Sequence, residues 1–165
     1  MKRLAVHAPV FAAALFLTST AWAQQATYVE GAWTGEKPTS QAGWKPCSNG
    51  TCLPISDASG VVVRFQRREQ TSPIEGHERT THVWYVIDGE ATLITGGELV
   101  GRKEGSRAGE FSGSDIRGGQ VRHLRKGDVI VIPPRTPHWW KEIPSGIGIF
   151  QVNLGDTPAA AAGGK

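Results

Sequence analysis

His82 to Thr95 reads HVWYVIDGEATLIT. Val, Ile, Thr, Tyr and Trp are the residues that fit a pleated, half-buried surface. With side chains alternating, His82, Trp84 and Val86 share one face, and Val83, Tyr85 and Ile87 share the other. Both sets are apolar apart from His82, which predicts a strand buried on both sides. Asp88-Gly89 is a type I′ hairpin signal, so EATLIT is expected to return as the next strand.

Reading outward from this stretch, the same period recurs. VVVRFQRRE begins at Val61, GGELVG supplies a turn and a short strand, and QVRHL, VIVIP, HWWKEI and IGIFQVNL follow. VIVIP reads as a buried strand. RKGD, PPRTP and PSG supply turns between them. Residues 102–119 are polar and glycine-rich and are expected to form a long loop. No window carries an amphipathic helix of useful length, and no nucleotide-binding glycine pattern, phosphate loop, nucleophile elbow or internal repeat occurs. Six to nine short strands punctuated by Gly and Pro imply an all-β sandwich or small barrel.

The termini read differently. MKR, the apolar run APVFAAALFL and the small-residue site AWA predict a secretory signal peptide over 1–23, cut after Ala23, and hence a periplasmic or secreted protein. The remaining 142 residues suit one domain. Losing Lys2 and Arg3 takes the formal charge from +3 to +1, and no basic block or arginine-rich arm offers a nucleic-acid footprint. No membrane association is expected once the signal is removed. Residues 24–60, rich in Gly, Pro, Ser and Trp, are expected to form an extended N-terminal segment with one edge strand, pinned by Trp33 and Trp44. In PCSNGTC, an oxidising compartment and a turn-forming spacer predict a disulfide between Cys47 and Cys52. The barrel is expected over 61–154, and the small, polar tail 155–165 to be disordered.

The chemistry points to the histidines. His77 and His82 lie five positions apart at the mouth of the apolar strand, and His138 follows the bend PPRTP, sharing a face with Trp140. Neutral imidazoles meeting at one end of a barrel form a divalent-metal site with open positions for water or substrate. Glu75 or Glu78 is placed to add a carboxylate. His123 reads as a surface or satisfied residue. Arg64, Arg67 and Arg68 read as solvated or paired with Glu69 and its neighbours, with Arg64 and Gln66 on one face as alternative inward-pointing ligand contacts. Arg79 is a further candidate for a substrate carboxylate, and Trp84 and Trp140 have the parity to line a pocket.

The chain resembles the cupins. Their second motif, G-x(5)-P-x-G-x(2)-H-x(3)-N, is matched by Gly127, Pro133 and His138, with Arg135 at the middle glycine and Glu142 at the asparagine. Their first, G-x(5)-H-x-H-x(3,4)-E-x(6)-G, is met at its last glycine by Gly89, with His82 at the glutamate. A four-residue gap then sets His77 and Glu75 at the two histidines; a three-residue gap sets Glu78 and Gly76 there. The resemblance covers about 61 to 153. It implies a jelly-roll-like double-stranded β-helix, a bound metal, a small-molecule ligand and a homodimer. The implied metal set is His77, His82 and His138 with Glu75, and Glu78 is then free to act as a general base. Exchanging the family's glutamate for His82 favours zinc, copper or nickel over manganese, with iron also accommodated. Two functions fit: a metal-dependent enzyme of oxygenase or isomerase type, and a non-catalytic module that binds a small ligand or metal. A third reading has the histidines as packing residues only.

Overall fold

A computed structural model describes residues 43–155 apart from Ser48 and Ser59. The expected signal peptide, Trp33 and all but the first residue of the expected tail lie outside it. The described chain is all-β, with thirteen strands and every pairing antiparallel.

The strands are β1 (Lys45–Cys47), β2 (Gly50–Ala58), β3 (Val61–Arg68), β4 (Ile74–His77), β5 (Thr81–Thr95), β6 (Glu98–Val100), β7 (Lys103–Glu104), β8 (Glu110–Gly113), β9 (Asp115–Arg117), β10 (Gln120–Arg125), β11 (Val129–Ile132), β12 (His138–Glu142) and β13 (Ile147–Leu154). One sheet runs β1-β2-β3-β13-β5-β11 and the other β10-β5-β12-β4-β8-β7, while β6 and β9 pair separately. This is the double-stranded β-helix expected from the sequence. Cys47 and Cys52 are bonded across β1 and β2, Cα atoms 5.8 Å apart.

β5 departs from expectation. Asp88-Gly89 does not close a hairpin; one strand runs from Thr81 to Thr95 and serves both sheets. Its first half pairs with β13 and β11, its second with β10 and β12. A type I′ turn needs positive φ at both central residues, and of the two only Gly89 has it, at 74°. The strand instead bends at a bulge opposite Gly148 and Ile149. Asp88 Oδ1 holds the bend by accepting from the Gly148 N–H at 3.1 Å and from Arg67.

Residues 102–119 are not a loop. They contain β7, β8 and β9, with Phe111 and Ile116 as apolar anchors. β8 pairs with β4 residue by residue, from Ile74↔Gly113 to His77↔Glu110. Short strands with polar outer faces leave little periodic signal, which is why the pattern read as loop.

Between the sheets lie Trp84, Val86, Ala91, Leu93, Leu124, Ile130, Ile132, Trp140, Ile147 and Ile149. The expectations that HVWYVI is buried on both sides and that VIVIP is a buried strand are corrected. Tyr85, Val129 and Val131 are 44%, 64% and 58% exposed, because no second layer among the described residues covers the outer face of this sheet.

Candidate metal centre

β4, β5 and β12 deliver the three histidines. His138 stands opposite Glu75 of β4 and opposite Thr95 of β5. His82 lies on the inward face of β5, opposite Asn153 of β13. His77 ends β4, and its carbonyl accepts the Arg135 N–H at 2.7 Å, tying it to the bend that precedes His138. Arg135 has φ 63°, a left-handed conformation that suits glycine. It occupies the position at which the cupin motif carries glycine.

One ligand atom from each of His77, His82 and His138 falls within 4.8 Å of the others. The ring centroids are 4.8 Å (77–82), 5.7 Å (77–138) and 5.1 Å (82–138) apart. Nitrogens sharing an ion at about 2.0–2.1 Å stand closer than this, so a small inward shift of the rings completes the set.

The tautomers follow from the partners. His138 Nδ1 faces the Thr136 carbonyl at 3.1 Å, and His82 Nδ1 faces Asn153 Oδ1 at 2.7 Å. Both oxygens only accept, so both Nδ1 atoms carry the proton and both Nε2 lone pairs are left for an ion. His138 Nε2 is buried with no hydrogen bond, which in a water-excluded site fits a metal ligand and is costly otherwise. Burial, then the neighbouring His82, pushes the His138 pKa down to about 3. This imidazole stays neutral, as metal ligation requires.

A polar relay backs His82. Asn153 Oδ1 also accepts from Gln151 Nε2 at 3.0 Å, and Gln151 Oε1 accepts from Arg64 Nε at 2.8 Å. Gln151 and Asn153 are buried on the same face of β13 as Ile147 and Ile149. The sequence reading missed both, although two polar residues at core parity in IGIFQVNL were the available signal.

The remaining candidates separate. Glu75 Oε1 lies 3.7 Å from His138 Nε2 with a side chain 41% exposed, so it reaches the centre from the solvent side. Glu78 is ion-paired with Arg102, which lies 3.8 Å over the Phe111 ring. Trp84 and Trp140 are buried and stacked, centroids 5.0 Å apart, with Trp84 5.2 Å from His82. Gln66 is buried inside the barrel and donates to Cys47 Sγ at 3.6 Å. Arg64 is engaged with Gln151, and Arg79 is exposed on the β4–β5 connection. His123 is at the surface, Nδ1 3.2 Å from Thr92 Oγ1. Arg67 pairs with Glu69 as expected but is buried and also holds Asp88. Arg68 is not solvated: it is 5% exposed inside the barrel, because β3 alternation puts residues 64, 66 and 68 on the inward face.

A family model described as Cupin matches residues 49–143. The structure of KdgF from Halomonas sp. is 13% identical, with a TM-score of 0.54 over 82% of this chain and 97% of that one. A protein with a double-stranded β-helix domain from Klebsiella pneumoniae is 18% identical, TM-score 0.47, over 67% of this chain and 82% of that chain. L-ribose isomerase of Cellulomonas parahominis, with L-ribose, is 15% identical, TM-score 0.45, over 64% and 60%. At these identities the likeness is one of fold. No curated protein matches the chain in sequence.

Proposed function

The chain belongs to the cupin family, and from that premise we propose that it is an exported, metal-dependent enzyme acting on a small molecule, of oxygenase or isomerase type. The observation that carries this is the convergence of His77, His82 and His138, one ligand atom of each within 4.8 Å of the others, with Nδ1 of His82 and His138 held by acceptors and Nε2 of His138 without a hydrogen bond among the described residues. Three nitrogen ligands suit zinc, copper, nickel or iron, with manganese less favoured. An ion held by His77, His82 and His138 would supply Lewis-acid or oxygen-activating chemistry to a bound small molecule. The chain's own residues do the rest. Asn153 and the Thr136 carbonyl fix the imidazoles, and the apolar core excludes water. Glu75, beside His138 and partly exposed, is the group placed to act as fourth ligand or to move a proton. Glu78, paired with Arg102, supports the role of base less well than its position in the sequence implied. If Glu75 ligates, the carboxylate left beside the histidines is Glu110, whose Oε1 lies 4.0 Å from His77 Nδ1 and is ion-paired with Arg107; with both carboxylates so engaged, the module that binds without turnover becomes the better reading.

Export is supported by the signal-peptide pattern of residues 1–23 and by the Cys47–Cys52 bond, which suits an oxidising compartment. Among the described residues no helix is long and apolar enough to cross a membrane. A homodimer is supported by the exposed apolar stripe of Tyr85, Val129 and Val131; a monomer mass in analytical ultracentrifugation would remove it. The test of function is elemental analysis of protein purified from the periplasm. Near one equivalent of a transition metal is expected, falling by most of its amount in His138→Ala. Metal-free wild type that takes up no zinc, copper, nickel or iron would end the proposal.

A further inference from the structure

The barrel interior is short of hydrogen-bond acceptors. Arg68, at the end of β3, is 95% buried by its 5% exposure, and its Nη1 reaches Gln66 Oε1 at 3.4 Å. Its Nε and Nη2 meet no acceptor among the described residues. The guanidinium lies 5.1 Å over the Trp140 ring, and Trp140 stacks on Trp84. Nε1 of each indole is also buried without a hydrogen bond. All four nitrogens can only donate. Native interiors rarely leave such groups unmet, and a cluster of them marks a place that takes acceptor atoms the described residues do not supply.

The orphaned edge of Arg68 is specific. Nε–H and Nη2–H project in parallel from one side of the planar guanidinium, the fork that takes both oxygens of a carboxylate. Burial lowers the Arg68 pKa to about 10, opposed by the Glu75 carboxylate, so the group is still a cation at neutral pH. Glu75 forms no ion pair with it among the described residues, its contact being with His138. A sugar or alcohol would bring acceptors without charge; a carboxylate brings both.

We infer that the barrel takes a small organic acid, its carboxylate seated on the Nε/Nη2 edge of Arg68 and its body against the Trp84–Trp140 pair. Trp84 is 5.2 Å from His82 and 5.6 Å from His138 between ring centroids, so an acid anchored there extends toward the histidines. The inference rests on the histidine cluster as the reactive centre and names its substrate class.

Isosteric acid–amide pairs test it: benzoate with benzamide, and lactate with lactamide. Binding is followed by calorimetry and tryptophan fluorescence on the full chain, both chelator-treated and zinc-loaded. In wild type at least one acid should bind about tenfold or more tighter than its amide, the scale of a charge-assisted pair. Arg68→Gln should level that pair, and Arg68→Lys, which keeps charge without the fork, should fall between. Both variants should take up zinc as wild type does, and Arg68→Gln should unfold at no lower temperature because it removes a buried cation that has no ion-paired carboxylate among the described residues. Equal affinity for acid and amide in both wild-type pairs, or an acid preference that survives Arg68→Gln, overturns the assignment. Failure of wild type to take up metal would sink the metal reading separately, because the acid preference is read in chelated protein.

Discussion

Asn153→Ala tests whether the relay behind His82 shapes the metal centre. Asn153 is 4% exposed, and its Oδ1 accepts from His82 Nδ1 at 2.7 Å and from Gln151 Nε2 at 3.0 Å. Truncation removes the acceptor from two buried donors. At about 1–3 kcal/mol for each donor left unmet, metal-free protein should lose about 2–6 kcal/mol of stability in urea unfolding. The effect on metal is separate. Without Oδ1 the His82 ring is no longer held to one tautomer and angle, and zinc affinity should fall about 10–100-fold. Competition against a chromophoric chelator reads that change directly. Asn153→Asp restores the acceptor and should return zinc affinity to the wild-type value or above it. An Asn153→Ala protein that binds zinc within about twofold of wild type would refute the orienting role. Equal losses in the Ala and Asp variants would also refute it, since the side chain would then act by shape and not as an acceptor.

Two further outcomes follow from the same geometry. The folded-state pKa of His138, about 3, lies below the unfolded value of 6.5, so between them the unfolded chain binds a proton that the fold refuses. Stability of chelated protein should therefore fall as pH drops from 6.5 to 5, by about 1 kcal/mol per pH unit from this group. The slope should flatten in His138→Gln, and urea unfolding at several pH values that shows identical slopes would contradict the assignment. Arg135→Gly should stabilise the protein by about 0.5–1 kcal/mol, because φ 63° strains a residue with a Cβ. The Arg135 N–H bond to the His77 carbonyl is kept, so zinc affinity should not change; no gain in the unfolding midpoint would remove the strain argument.

Much of this was readable before any coordinates. Alternation in HVWYVI grouped His82, Trp84 and Val86 on one face, which the structure shows to be the buried one, and the spacing of GDVIVIPPRTPH singled out His138 as a candidate ligand. Arg135 in the glycine position was visible as a departure, and its positive φ explains why the motif carries glycine. The reading failed where local signals were weak or shared. Asp88-Gly89 has hairpin chemistry, yet the pairing of β5 with four other strands turned a hairpin into a bend. The strands of 102–119 are too short and too polar outside for a period to emerge. Arg68 shares its parity with Arg64 and Gln66, but the reading took only those two as inward-pointing, because an arginine beside Arg67 and Glu69 has the local pattern of a solvated or paired charge.

The sequence by itself determined the period of two, the turns at RKGD, PPRTP and PSG and the residue types at the barrel mouth, because these depend on near neighbours along the chain. Only the tertiary structure decided which groups meet. That His82 faces Asn153 across 71 residues, that Glu75 touches His138 while Glu78 turns to Arg102, and that Arg68 lies over Trp140 with its Nε and Nη2 unmet among the described residues are consequences of strand pairing between distant segments. Register is set by the whole barrel closing on its core, and no short window of sequence contains that information.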